Sequence, residues 1–167
     1  CLLSRGLGDV YKRQGQGQTI AVIDTGIKVN HTNFATAPQD PHFDAAGIQS
    51  VLNRYDLCAE ERYNGTLTGA TLYHSAKLPF TFNYYACNTD VSHANAGSDH
   101  GTHVSSIAAG CDSSSRGVAY NAQIISMQVF QNGGAAWTEI LAALEDCAWL
   151  EVDALNMSLG SDNGFTQ

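Results

Sequence analysis

Three predominantly apolar runs set the tightest limit on the fold of this chain. They are Thr19–Ile23, Ile124–Phe130 and Val152–Met157, and helical patterns at Gly101–Gly110 and Thr138–Leu150 precede the second and third runs. The first run is continuous and β-branched, which indicates a strand that is buried on both faces. Strands that alternate with helices indicate a parallel sheet. We therefore predict an α/β fold in which a mainly parallel β-sheet is flanked by helices.

The period of the two helical patterns predicts which side of each helix is buried. In the first helix, the face at i, i+3, i+4 and i+7 carries Val104, Ile107, Ala108 and Cys111. Thr138 is the predicted N-cap of the second helix, because a threonine hydroxyl can accept a hydrogen bond from a first-turn amide. The predicted inward positions of that helix are Ile140, Leu144, Cys147 and Ala148.

Residues 35–98 form a long polar and aromatic stretch without a sustained period. Within it, Leu78–Tyr84 alternates as a strand does. We interpret this stretch as an insertion into one domain and not as a separate domain.

Composition argues against several classes of partner. The formal net charge is −8, which disfavours nucleic acid or an anionic membrane surface as the main partner. No apolar run approaches the roughly 20 residues that a membrane-spanning helix needs. After residue 14 the cysteines are Cys58, Cys87, Cys111 and Cys147. None forms a C-x-x-C pair, so a zinc ribbon or thioredoxin-like site is not expected, and the disulfide state is left open.

An acid and a histidine stand at positions where α/β proteins carry their chemistry. Asp24 follows the first apolar run directly, and functional residues gather at the carboxyl ends of parallel strands. His100 opens the first predicted helix. An Asp and a His in this order are two members of a Ser-His-Asp nucleophile system. Taken singly, Asp24 also suits a turn and His100 also suits a helix cap.

The residues around this pair resemble a known family. The segments Thr19–Ile27 and Asp99–Gly110 resemble the Asp and His motifs of subtilisin-like serine proteases, the subtilases. Three further segments match that family in the same order: Gly117–Ala119 followed by Ile124–Val129, then Gly133–Trp137, and then Leu155–Gly160. The resemblance covers about residues 15–34 and 97–160.

This resemblance implies a role for each matching residue. Asp24 would accept a hydrogen bond from His100 Nδ1, and His100 Nε2 would be the general base. Glycine at position 101 would let the backbone approach the pair closely. Two segments would pair with an extended substrate backbone: Gly133, Gly134 and Ala135, and Ser158, Leu159 and Gly160. Trp137 would either cap a pocket for a substrate side chain or belong to the core, and both alternatives stay open.

The family's Gly-Thr-Ser-Met-Ala nucleophile motif and its oxyanion-hole asparagine are not found in the 167 residues. We therefore expect residues 15–167 to be the N-terminal part of a catalytic domain, truncated before the nucleophile helix and inactive alone. A chain shortened in this way should expose apolar surface. Residues 1–14 resemble a translated sequencing adapter and are expected to be foreign to the fold.

The family further implies a secreted or cell-surface enzyme that acts on extended polypeptides and is made with an inhibitory prosegment. It implies no cofactor for the chemistry. Structural calcium is common in the family, but no calcium site is identified in this sequence.

Two other functions remain open at the level of the sequence. Asp99, His100 and His103 could serve a metal-dependent hydrolase, although H-E-x-x-H is absent. The chain could also be a non-catalytic binding protein with a degenerate protease fold.

Overall fold

A four-stranded parallel sheet forms the centre of the protein. The computed structural model describes residues 14–160, so the predicted adapter segment lies almost wholly outside the described residues. The strands are β1 (Thr19–Asp24), β2 (Phe80–Asn83), β3 (Gln123–Gln128) and β4 (Ala154–Asn156), in the order β2-β3-β1-β4. Every pairing is parallel. The predicted α/β fold with a parallel sheet is therefore confirmed.

Helices cover both faces of this sheet. In chain order the described α-helices are α1 (Ala45–Leu52), α2 (Cys58–Arg62), α3 (Gly69–Leu72), α4 (His100–Ala109) and α5 (Trp137–Trp149). Single turns of 3₁₀-helix lie at Thr32–Phe34 and His93–Ala96. No helix in the described part of the chain is long and apolar enough to cross a membrane.

Strand β1 divides the core into two apolar clusters. Ala21 and Ile23 join one cluster, which includes α5, whereas Val22 joins the other, against which α4 packs. Side chains that alternate along a strand point to opposite faces, so helices on both faces bury the whole strand. The continuous apolar run at Thr19–Ile23 is thereby explained.

The stretch 35–98 contributes to the same core. Its strand β2 pairs with β3, with Phe80 opposite Ile125 in the register. The side chain of Asp146 in α5 accepts hydrogen bonds from Cys58 N (2.7 Å), Ala59 N (2.9 Å) and the Tyr84 hydroxyl (2.8 Å). Burial raises the pKa of Asp146. These bonds cap the first amides of α2, where the N-cap residue itself makes no side-chain bond.

The buried face of α4 differs from the prediction. Ile107 was expected inside, but it is 56% exposed. The residues that are buried are small: Gly101, Thr102, Ser105 and Ala109. This helix packs so close to the sheet that only small side chains fit between them, and the larger apolar residue points outward.

Helix α5 also starts differently from the prediction. It begins at Trp137, its N-cap is Ala136 without a side-chain bond, and the Thr138 hydroxyl instead donates to Glu139 Oε2 (3.0 Å). The prediction of Thr138 as N-cap is therefore wrong. Ile140 and Cys147 are buried as predicted, whereas Ala148 is exposed.

Strand β4 and parts of α4 and α5 carry apolar side chains on the surface. Two of the three β4 residues are exposed. The exposed large apolar residues include Ile107, Val118, Trp137, Leu141, Leu155 and Met157. The expected exposed apolar surface is thus present. The four cysteines in the described residues are free thiols.

Candidate active site

Asp24 is the last residue of β1 and is buried at the carboxyl edge of the sheet. It is 2% exposed. Its Oδ1 accepts the Thr25 N–H at 2.7 Å, and its backbone carbonyl accepts the Val129 N–H at 3.0 Å. The strand and the following turn therefore hold the carboxylate in place.

His100 is the first residue of α4 and faces this carboxylate. Its Nδ1 lies 2.8 Å from Asp24 Oδ1 and 3.0 Å from Oδ2, across 76 residues of sequence. Because a carboxylate only accepts, Nδ1 carries the proton and Nε2 keeps its lone pair in the neutral ring. The side chain of His100 is 46% exposed, so Nε2 is the available proton acceptor.

Two hydrogen bonds of Thr25 tie the turn after β1 to the start of α4, and a third bond is local to that start. The Thr25 hydroxyl accepts the Gly101 N–H (2.9 Å) and donates to the Ser98 carbonyl (3.4 Å). The Ser98 hydroxyl accepts the His100 N–H (3.2 Å). The N-cap residue Asp99 makes no side-chain bond, so Thr25 and Ser98 satisfy these amides of the first helical turn in its place.

Two glycines allow the turn and the helix to meet. Gly26 has a φ of +92°, and a Cβ there would lie 2.4 Å from the Val91 carbonyl oxygen. A Cβ on Gly101 would lie 2.2 Å from the Gly26 carbonyl oxygen and 3.0 Å from Asp24 Oδ1. The predicted close approach of the backbone at Gly101 is therefore confirmed.

Gln128 is a neighbour of the pair that the sequence analysis did not single out. It stands opposite Asp24 in the β1–β3 register and is fully buried. Its Nε2 donates to the Phe130 carbonyl (3.2 Å), while its Oε1 has no partner in the described residues. The sequence feature that could have indicated Gln128 is a polar residue at the carboxyl end of an apolar run.

The two predicted substrate segments leave the sheet at the same edge as Asp24. Gly133–Trp137 follows β3 and Ser158–Gly160 follows β4, and these strands flank β1 on its two sides. Since carboxyl ends of parallel strands share an edge, the two segments lie on either side of the Asp24 strand.

The first of these segments is folded on itself. Gln131 N–H donates to the Gly134 carbonyl (2.9 Å), and Gly134 N–H donates to the Gln131 carbonyl (3.1 Å). Asn132 and Gly133 between them have φ of +50° and +80°, as in a tight hairpin turn. Gly134 therefore has both backbone groups engaged in this conformation.

Trp137 is 71% exposed, so it is not a core tryptophan. Ala135, two residues earlier, is half-buried against the cluster that contains α5.

The second segment is open to solvent. Within the described residues, Ser158 exchanges hydrogen bonds with the Asn156 side chain alone (3.0 and 3.4 Å). Leu159 is half-buried and Gly160 is exposed. No hydrogen bond joins Ser158 to His100 within residues 14–160.

The three residues of the metal hypothesis do not converge. His100 Nδ1 is bound to Asp24, whereas Asp99 and His103 line a separate cavity. Among residues 14–160, no group of three or more His, Cys, Asp or Glu side chains could hold a metal ion.

The fold and the site together define an α/β protein with a parallel sheet, in which a buried aspartate is hydrogen-bonded to a histidine at the carboxyl edge where such folds carry their functional residues. The model of the subtilase family matches residues 15–167, and the chain belongs to that family.

Several relatives match most of the chain. The PII-type proteinase of Lacticaseibacillus paracasei is 34% identical over 164 residues, which are 92% of this chain and 8% of that protein. The minor extracellular protease Vpr of Bacillus subtilis is 27% identical over 148 residues, 88% of this chain and 14% of that protein. The chain thus spans a small part of the length of these relatives.

A solved structure shows the same fold. The CspB protease of Clostridium perfringens superposes with a TM-score of 0.54 over 95% of this chain and 32% of that one. Its sequence identity is 19%, so this likeness supports the fold alone.

Proposed function

We propose that this chain supplies the acid and the base of a subtilisin-type serine endopeptidase. The observation that carries the proposal is the pairing of His100 Nδ1 with Asp24 at 2.8 Å in a chain of the subtilase family. In this assignment Asp24 holds the histidine tautomer and stabilises its protonated form.

The proton transfers follow from the free lone pair on His100 Nε2. It accepts the serine proton while the serine oxygen bonds to the scissile carbonyl carbon, and it then gives that proton to the leaving amine. Water attacks the acyl-enzyme in the second half, with His100 again accepting and returning the proton. Asp24 stays ionised throughout.

The proposal needs a serine from sequence outside these 167 residues. Residues 1–167 contain no Gly-Thr-Ser-Met-Ala motif, and Ser158 is bonded to Asn156 and not to His100. Without an attacking oxygen the acyl-enzyme cannot form, so the chain alone is inactive in this proposal.

The substrate in this proposal is an extended polypeptide that lies between Gly133–Ala135 and Ser158–Gly160. An extended chain can add to such segments as a strand does. Gly134 would first release its two bonds to Gln131. The exposed ring of Trp137 would then cover a substrate side chain. An inhibitory prosegment would occupy the same groove, and the enzyme would be secreted, as the name of the relative Vpr says of that protein.

The test is to join residues 15–167 to a downstream coding sequence of the family and to assay peptide cleavage. Asp24→Ala and His100→Ala should each lower kcat by about 10⁴- to 10⁶-fold, as loss of a triad member does in serine proteases. A serine-directed inhibitor should abolish the activity. His42→Ala is the matched control, since His42 packs edge-on against Phe43 and contacts neither residue of the pair.

Activity that survives His100→Ala would overturn the assignment. Loss of activity with a chelator, together with resistance to the serine-directed inhibitor, would favour the metal hydrolase instead.

A further inference from the structure

A cavity of about 660 Å³ lies beside α4 and gathers basic side chains. Its lining includes Lys28, His31, His93, Asp99, His103 and Arg116. His103 lies three residues after His100 on α4, about 4.5 Å along the helix axis at 1.5 Å per residue. The cavity is therefore adjacent to the Asp24–His100 pair but does not include it.

This concentration of basic groups is unusual for the chain, whose net charge is −8. Three of the eight Lys and Arg residues lie in residues 1–13, and five follow. Three of those five are engaged elsewhere, and they are Arg62 on Glu139 (3.8 Å), Lys77 on two backbone carbonyls, and Arg54 over the Tyr55 ring. The remaining two, Lys28 and Arg116, both line this cavity.

Neither of these two cations has an acidic partner in the described residues. The salt bridges in residues 14–160 involve neither Lys28 nor Arg116. The guanidinium of Arg116 lies 4.7 Å above the Tyr120 ring, which restrains its direction without neutralising it. Asp99 offsets one of the two charges, so the fixed charges of the cavity still sum to a positive value.

The histidines add hydrogen-bond donors to this charge. His31 Nδ1 accepts the Asn33 N–H at 3.2 Å, so the neutral ring of His31 carries its proton on Nε2. His93 Nδ1 is buried and has no hydrogen-bond partner in the described residues. Buried polar atoms of this kind are normally satisfied by a protein group, water or ion.

Side-chain hydroxyls connect the elements that line the cavity. Lys28 N–H donates to the Thr102 hydroxyl at 2.9 Å, which ties the loop after β1 to α4. The Ser106 hydroxyl donates back to the Thr102 carbonyl at 2.8 Å on the same helix. Two walls of the cavity are thus joined by a direct bond, and Lys28 and His103 extend from these two walls.

From this geometry we infer that the cavity binds an anionic oxygen group, a carboxylate or a phosphate, between Lys28, Arg116 and the histidines. Ammonium, guanidinium and imidazole donors make the stronger, charge-assisted hydrogen bonds to such groups. The ligand is either a free inorganic anion or the acidic side chain of a polypeptide. This inference does not depend on the proposed protease activity.

The test titrates the full chain with inorganic phosphate, with an acetylated and amidated glutamate peptide, and with the glutamine counterpart of that peptide. The histidine ring resonances of His31 and His103 report on the cavity, while His42 lies elsewhere and serves as the internal reference. Phosphate and the glutamate peptide should produce saturable shifts at His31 and His103 and leave His42 unmoved.

Matched variants distinguish binding in the cavity from an effect of the overall charge of the chain. The double variant Lys28→Gln and Arg116→Gln should bind about tenfold or more weakly, since it loses two charge-assisted contacts. Arg54→Gln removes the same kind of charge outside the cavity and should bind as the unchanged chain does. Circular dichroism checks that each variant is folded.

The two ligand sources give different results, and both support the inference. Tighter binding of the glutamate peptide than of phosphate identifies a polypeptide side chain, and equal or tighter binding of phosphate identifies a free anion. The inference is overturned by the absence of saturable shifts with both anions, by equal affinity in the folded double variant, or by saturable binding of the glutamine peptide with the affinity of the glutamate peptide.

Discussion

The turn that carries Asp24 and the loop that carries Gly133–Trp137 leave neighbouring strands at one edge of the sheet, yet they are built very differently. Asp24 is 2% exposed and Trp137 is 71% exposed. The Thr25 hydroxyl joins the turn to the start of α4, whereas Gln131 and Gly134 of the loop bond to each other. The fold of this chain therefore fixes the Asp24–His100 pair more firmly than the proposed substrate segment after β3.

The largest expected effect comes from filling the space between the turn and α4. Gly101→Ala should lower the free energy of unfolding by about 3 kcal/mol, because its Cβ would press on the Gly26 carbonyl. Helix propensity alone would favour alanine by about 1 kcal/mol. A loss of stability in this variant therefore reports the clash between the new Cβ and the Gly26 carbonyl. Urea unfolding measures the change. Gly134→Ala is the control, since a Cβ there meets nothing within 4 Å. Equal stability of the two variants would contradict the conclusion that the turn after β1 is packed more tightly than the loop after β3.

The amino edge of the sheet provides a pH-dependent reference. Lys77 is 1% exposed, its Nζ donates to the Tyr120 and Ala122 carbonyls, and burial lowers its pKa to about 8. An unfolded lysine has a pKa near 10.4, so between about pH 8 and 10.4 the unfolded state binds more protons and stability rises with pH.

Comparison with Lys77→Met isolates this contribution. From pH 8 to pH 9 the stability of the unchanged chain should rise by about 1 kcal/mol relative to the variant. The raised pKa values of Tyr84 and Cys147 act in both proteins and cancel in the difference. Urea unfolding at the two pH values tests this, and a difference that is constant with pH would refute it.

A smaller effect is expected at the bonds that hold the start of α4. Thr25→Val removes the acceptor of the Gly101 N–H and should lower the free energy of unfolding by about 1 kcal/mol. Ser158→Ala, on the other side of β1, removes an exposed hydroxyl and should cost less than about 0.5 kcal/mol. Thermal unfolding measures the stability of the two variants. A larger loss from Ser158→Ala than from Thr25→Val would show that the bond between Thr25 and Gly101 does not hold the Asp24–His100 pair in place.

The smallest effect is expected at the exposed tryptophan. Trp137→Ala should change the free energy of unfolding by less than about 0.5 kcal/mol, because most of the ring is already in solvent. Trp149→Ala should cost about 1 kcal/mol, because that ring stacks on Tyr55 at 4.6 Å. A large loss from Trp137→Ala would mean that the loop after β3 is part of the folded core.

Local pattern was enough to predict the sheet and the pair, but not the contacts between distant segments. Asp24 and His100 could be predicted because Asp24 ends a strand, His100 opens a helix, and each lies in a short motif. The face of α4 was mispredicted, since periodicity selects large apolar residues such as Ile107 while close packing selects small ones.

The strand order was also beyond sequence reasoning, because it depends on pairings between segments more than 30 residues apart. The buried polar contacts of Lys77 and Asp146 follow from the same cause. Each depends on atoms that only the completed fold brings together.

The carboxylate of Asp146 has a consequence for the order of events during synthesis. The bonds it accepts from Cys58 and Ala59 span 88 and 87 residues, so α2 leaves the ribosome long before its cap exists. A helix of five residues does not persist alone, because nucleation costs more than so few bonds return. Helix α2 is therefore expected to stay loosely ordered until α5 has been made, and to dock only then.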